Sequence, residues 1–374
     1  MKSSSKLTRN DTNPHKSVTF LTWWPLFLLA TLLLLRSLLP AETIEAIYSR
    51  GVFLGVREIW DFFLPRLPVP LFYLFWVGVI WWIWATVRRC KKWFKEAGRR
   101  SVWGKLGQRI LNSVALLVSV FLLGWGFNYG RVEVNEKIGF DLYQPTLDEL
   151  RERVYNEAAE LAVLRQQITA DTLALTAAAL PADLETAVRP LLIAALQKHG
   201  YPAPGHPRAR QLKPKGVLLR LGTAGVYWPW AGEGNIDAGL HPLQKPAVMA
   251  HELSHAFGFG DEGTCTFWAW LAGRETKDAV LAYTFKLAYW RRIAGRLRQQ
   301  EPEAYWAWRA ASLAPGIRND LQAIYDNSEL YKDIAPVIRD LTYDTYLKAQ
   351  GIHEGLLNYG KVVRMVEGYL VSTG

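Results

Sequence analysis

The sequence predicts a mainly helical α+β protein in which three membrane-crossing helices precede one large domain. Three observations carry this expectation. Long apolar runs are confined to residues 1–130, basic charge gathers at their flanks, and the remainder has helical periodicity interrupted by short strand-like runs between residues 216 and 240.

The first apolar run, residues 20–40, enters through Thr22-Trp23-Trp24 and carries one charge, Arg36, close enough to its end to reach the interface. It is too long for a signal-peptide core and lacks a small-residue cleavage site, so an uncleaved span is expected. The second, 67–87, holds Phe72, Tyr73, Phe75, Trp76, Trp81, Trp82 and Trp84 and no charge. The third, 110–127, is apolar apart from Asn112 and Ser113 at its start. Each reaches about the 17–25 residues that a helix needs to cross the hydrocarbon. The expected organisation is a membrane region over 1–130 and a single domain over 131–374.

The net charge of +10 is placed where a membrane protein needs it. Lys2, Lys6, Arg9 and Lys16 precede the first span, and nine Lys or Arg between Arg88 and Arg109 face Glu96 alone, while residues 131–374 are nearly balanced. This is a membrane-flank signature and argues against a nucleic-acid partner. Positive flanks stay inside, so the N-terminus is expected in the cytoplasm and the C-terminal domain outside, on the cell (inner) membrane. The loop 41–66 would then lie outside, with Ile44, Ile47, Phe53, Ile59 and Phe62 along the interface as a helix. Cys90 and Cys265 fall on opposite sides in this topology and cannot pair. No span carries a central ionisable residue, which argues against transport.

Within the domain, spacing predicts helices over 147–176 and 181–198, then a Pro-rich basic surface loop over 201–215. Residues 216–221, 225–230 and 235–240 read as short strands. Pro246 suits the first turn of a helix running through Phe257 and closed by Gly258. Helices are expected again at 266–272, 278–299, 302–313, 320–331 and 334–350.

The chemistry is carried by His251-Glu252-Leu253-Ser254-His255. Positions i and i+4 share a helix face about 5–6 Å apart, so both imidazoles can reach one metal ion. Glu252 projects about 100° round from His251, beside the metal rather than on it, where a carboxylate can act as general base. Asp261 and Glu262 follow His251 by ten and eleven residues, and either supplies a third ligand. Two imidazoles, one carboxylate and an open position form the set that catalytic zinc uses. The segment Tyr227–Asn235 reads either as a wall of the cleft that pairs with an extended substrate, with Glu233 or Asn235 facing it, or as a plain hairpin with Gly-rich turns. His241 reads as a surface-loop histidine, with a hydrogen-bond donor near the metal as the alternative, and Cys265 as a small buried hydrophobe rather than a ligand.

Several segments resemble the bacterial membrane family known as domain of unknown function 3810. Glu45-Ala46-Ile47-Tyr48-Ser49 is similar to its "E-x-x-YS" entry, and Trp125-Gly126-Phe127-Asn128-Tyr129 to its "WGFNY" exit from the third span. Gly232–Asn235 is similar to "TGEAN", and Met249–His255 with Gly258-Phe259 to the core "AHExAHQxGF". Tyr346-Leu347-Lys348 and Tyr359–Val363 are similar to its closing pattern. The core continues "xxEDEANF", which aligns its first Glu with Glu262 and its Phe with Phe267 and so favours Glu262 over Asp261. Gly263, Thr264 and Thr266 depart from the next two acidic positions and the Asn. The resemblance implies a membrane-bound, zincin-like domain. The combined expectation is a membrane-anchored zinc metallopeptidase acting on a peptide or envelope protein outside the cytoplasm. The alternative is a catalytically inactive or metal-binding membrane scaffold that organises envelope partners.

Overall fold

A computed structural model describes residues 18–334, 336 and 360–374. The chain divides into two compact units, Met1–Leu39 with Gly78–Leu123, and Pro40–Val77 with Gly124–Gly374. Hydropathy alone places a boundary near residue 130, whereas packing takes Pro40–Val77 into the unit of the large domain.

The first unit holds α1 (Val18–Leu38) and most of a long helix introduced below as α3. Leu71–Lys95 and Val102–Gly124 are each long and apolar enough to cross a membrane. Trp23–Leu38 qualifies only when taken with Ala41–Arg66 across the break at Pro40, which makes two such helices among the described residues, or three counting that pair. Residues Leu71–Gly124 are helical without interruption, yet Arg109 Nε donates to Thr86 Oγ1 at 2.8 Å. Along a straight helix that separation in sequence would put them roughly 35 Å apart. The axis therefore turns back between them, and the basic run lies at the turn of an antiparallel pair.

The second unit opens with Ala41–Thr43, a π-helical stretch Ile44–Val52 and α2 (Phe53–Phe63), followed by the start of α3 (Leu71–Gly124). The expected helix over 41–66 is thus present, and its inner face is buried protein. Glu45 accepts from Arg131 Nε at 2.7 Å and from Lys137 Nζ at 2.7 Å.

After Ile138 come α4 (Leu147–Ile168) and α5 (Leu184–Lys198). Thr146 and Glu149 form a reciprocal cap at the start of α4. The helix stops at 168 rather than 176, because Asp171 accepts from Thr169 Oγ1 and from the Leu173 amide, offering the backbone a local alternative.

A mixed sheet follows, in the order β1 (Ala209–Leu212), β3 (Glu233–Asp237), β2 (Gly225–Trp228), with β1 parallel and β2 antiparallel to β3. Two expectations are corrected here. The basic loop contains strand β1, whose Ala209 and Leu212 are buried, and residues 216–221 form turns instead of a strand. Asp237 is the cause of the second change. Its carboxylate accepts from the amides of Gly216, Leu218 and Leu219 at 2.7, 2.7 and 3.1 Å, gathering that segment into a nest.

The rest is helical: α6 (Lys245–Ala256), α7 (Glu262–Arg274), α8 (Ala279–Gln300), α9 (Pro302–Ser312), α10 (Pro315–Glu329) and α11 (Lys361–Thr373). The expected helix over 334–350 lies, but for its edge, outside the described residues. The core is aromatic, with Phe267, Trp268, Tyr283 and Trp290 all essentially buried. Trp290 Nε1 donates to the Val154 carbonyl at 2.9 Å and so ties α8 to α4.

Candidate metal centre

Helix α6 begins on the turn Pro242–Gln244, whose N-cap is His241, accepting at Nδ1 from the Leu243 amide at 3.4 Å. His241 is therefore a buried capping group and not the surface histidine expected. Pro246 sits in the first turn, and Met249, Ala250, Leu253 and Ala256 bury the inner face. The helix ends where Gly258 adopts φ +87°. A Cβ there would also meet Phe53 Cε1 at 2.7 Å, so both conformation and space demand glycine.

Helix α7 starts at once. Asp261 is its N-cap and accepts from the Thr264 amide at 2.7 Å, with Lys361 Nζ 3.8 Å away. Glu262, the first residue of α7, turns towards α6. Its Oε2 lies 3.0 Å from His251 Nε2 and its Oε1 3.6 Å from His255 Nε2. The ligand atoms of His251, His255 and Glu262 all lie within 4.8 Å of one another. Of the two acidic candidates, geometry thus gathers Glu262 and leaves Asp261 at the cap.

Both imidazoles are oriented through Nδ1. His251 Nδ1 is 3.1 Å from Thr266 Oγ1, which donates its own proton to the Glu262 carbonyl and so accepts from the ring. His255 Nδ1 is 2.7 Å from the Phe259 carbonyl, which can only accept. With Nδ1 of each ring held by these acceptors, both Nε2 atoms are turned towards Glu262, the position a cation between them would occupy. Burial opposes charge on Glu262, yet His255 and His251 outweigh it and hold this carboxyl well below the usual range. A buried anion facing two Nε2 atoms is an electrostatic trap for a cation.

Glu252 is 5% exposed, and its Oε2 has no hydrogen-bond partner among the described residues. Burial pushes its carboxyl up to about 8. The sheet makes room for it: a Cβ on Gly225 would fall 2.5 Å from Glu252 Oε1, and one on Gly234 would fall 2.8 Å from Glu252 Cβ. Close approach of helix to sheet is what glycine permits at both places.

Glu233 and Asn235 do not line this cleft. Strand β3 is the central strand, flanked on both sides, and both side chains are fully buried. Glu233 Oε1 accepts from the Phe72 amide at 3.2 Å, so the residue expected to meet substrate caps the start of α3 instead. Asn235 Nδ2 donates to the Glu233 carbonyl at 3.4 Å. The strand beside the cleft is β2, an edge. Cys265 is buried, donates to the Phe259 carbonyl at 3.4 Å, and its thiol is pushed up to about 12 by burial. It stands outside the ligand cluster.

Sequence reasoning missed four contributors. Thr266 and the Phe259 carbonyl orient the rings; Trp125 Nε1 donates to the His255 carbonyl at 2.8 Å; and the Tyr227 ring stacks on His255 at 6.2 Å. Only Thr266 left a signal, since it follows Glu262 by four residues and must share its helix face. The cleft that takes in the cluster has a volume of about 1180 Å³ and is lined by β2, the Trp228-Pro229-Trp230 turn, Trp270, Phe285, Arg291 and Arg292.

The family described as "Protein of unknown function (DUF3810)" matches residues 48–366. The chain belongs to that family. Its matched region includes the sheet, the His251, His255 and Glu262 cluster and both apolar arms of α3, so the DUF3810 segment is the greater part of the molecule. Neither the curated proteins nor the solved structures contain a significant match.

Proposed function

We propose that this protein is a membrane-anchored, zinc-dependent hydrolase of peptide or amide bonds, acting on a peptide or envelope protein outside the cytoplasm. The observation that carries the reading is the convergence of His251, His255 and Glu262 beside the buried Glu252 at the floor of a wide cleft. Two nitrogens and one carboxylate oxygen, with the cleft side open, fit the donor set of catalytic zinc, and both Nδ1 atoms are already engaged. Zinc in such a set supplies Lewis-acid polarisation of a carbonyl and makes water more acidic.

The chain's own residues do the rest. Glu252 takes a proton from water as the water oxygen adds to the substrate carbonyl carbon. The C–N bond then breaks, and Glu252 returns that proton to the departing nitrogen, leaving an acid and an amine. Strand β2 offers its outer edge to the cleft, where an extended peptide can add as a further strand.

Glu252→Gln is expected to keep about one zinc per chain and to lower cleavage by about 10²–10⁴-fold, read by metal analysis and turnover of the same preparation. Loss of the metal in this variant would make Glu252 a ligand; absence of zinc from the wild type would favour a scaffold.

The basic turn between the apolar arms argues for a cytoplasmic turn and an external second unit. A reporter that works only outside the cytoplasm should be active when fused after Gly374, and one that works only inside should be active at Gly98. Cytoplasmic activity at Gly374 would reverse the orientation.

A further inference from the structure

We infer that the cleft opens at the membrane surface and that its substrate is a peptide segment immediately next to a membrane anchor, not a freely soluble peptide. This rests on the hydrolase reading above and adds the substrate's location. Three observations in the unit that carries the site lead to it.

First, the rim of the cleft is packed on the first turns of an apolar span. Phe72 and Phe75 each lie 5.2 Å from Trp228, Phe75 stacks on Trp230 at 5.7 Å, and Trp76 lies 5.8 Å from Trp228. Glu233 caps the same turns, and Tyr73 Oη meets the Lys213 amide at 2.7 Å. These aromatic residues form the kind of belt that sits at headgroup level.

Second, the metal helix is attached to the residue that follows the other span. Trp125 comes directly after Gly124, donates to the His255 carbonyl, and has its ring 6.2 Å from the His255 imidazole. Phe72–Trp76 and Trp125 therefore stand at the ends of the two apolar stretches, where such aromatic residues meet the headgroups.

Third, α2 packs on the turn that leads out of the cleft rim and leaves an apolar face uncovered. Arg57 donates to the Gly232 carbonyl at 2.7 Å, and a Cβ on Gly232 would collide with the Trp60 ring. On the opposite face, Ile59, Phe62 and Phe63 are each more than half exposed. That face, beside an aromatic belt, suits immersion in the interface. A peptide lying along β2 would thus run just above the bilayer, within reach of a chain that has only now left the membrane.

The test uses the full chain, zinc-loaded, in phospholipid vesicles. Nitroxide labels at Pro229→Cys and at Phe62→Cys, in a Cys90→Ser background, should be more accessible to oxygen than to a water-soluble nickel chelate. Dominant nickel accessibility at both would place the cleft in bulk water and overturn the inference without touching the hydrolase reading. A randomised fluorogenic peptide library is then offered free, or palmitoylated through a spacer of about three or about twenty residues, the longer spanning up to roughly 70 Å. The short-spacer library should be cleaved at least about tenfold faster than the free one, with cuts mapped close to the anchor. Cleavage of only the free and long-spacer libraries overturns the substrate class and leaves the hydrolase. Failure to cleave any library by the zinc-loaded chain overturns the hydrolase reading, and this one with it.

Discussion

Replacing Glu262 by alanine is expected to weaken zinc binding by more than the 10–100-fold typical of losing an outer partner of a metal ligand, whereas Asp261→Ala leaves affinity within a few-fold. The contrast follows from which residue starts the helix and which caps it. Glu262 opens α7 and projects across to α6, with one oxygen 3.0 Å from His251 and the other 3.6 Å from His255. Asp261 spends its carboxylate on the Thr264 amide and faces Lys361. Losing that cap costs about 0.5–2 kcal/mol of stability and moves no ligand atom directly. Isothermal titration with zinc, alongside thermal melts of the same samples, separates the two effects. A metal-free Asp261→Ala protein with full affinity in Glu262→Ala would give Asp261 the third position. His255→Ala should abolish binding, since one imidazole and one carboxylate leave too few ligands for a stable site.

The second large effect lies away from the cleft. Asp320→Ala is expected to destabilise the second unit by about 3–5 kcal/mol, the usual consequence of stranding one member of a buried ion pair. Asp320 is fully buried and gathers three donors: Arg165 Nε at 2.9 Å, Tyr283 Oη at 2.6 Å and the Leu175 amide at 2.7 Å. Arg165 is itself 3% exposed, so its charge has no recourse to water once the carboxylate is gone. These contacts join α4, α8, α10 and the loop after α4. A drop of roughly 6–20 °C in melting temperature corresponds to that loss for a domain of this size. Asp320→Asn should be milder, because an amide still accepts at one oxygen. Equal melting of Asp320→Ala and wild type would show that water reaches Arg165.

What the sequence determined by itself is local. Hydropathy and charge mark α3 as two apolar arms about a basic turn, because crossing a bilayer needs a continuous apolar length with flanking charge that residue order spells out. The spacing of His251 and His255 puts both rings on one helix face, since helical geometry depends on residue number alone. Pro246 and Gly258 mark the ends of that helix for equally local reasons.

Tertiary structure decided the rest. Residues 209–212 read as a basic loop and form a strand, because four residues carry too little pattern and β3, the partner that pairs with them, is distant in sequence. Residues 216–221 look like a strand and coil into turns, because Asp237 collects their amides. Glu233 looks like a substrate group and caps the start of the long apolar helix α3, a role visible only once Phe72 is beside it. The choice between Asp261 and Glu262 also belongs to three dimensions. Adjacent residues differ by about 100° in direction on a helix, and where α7 begins sets which carboxylate faces the imidazoles.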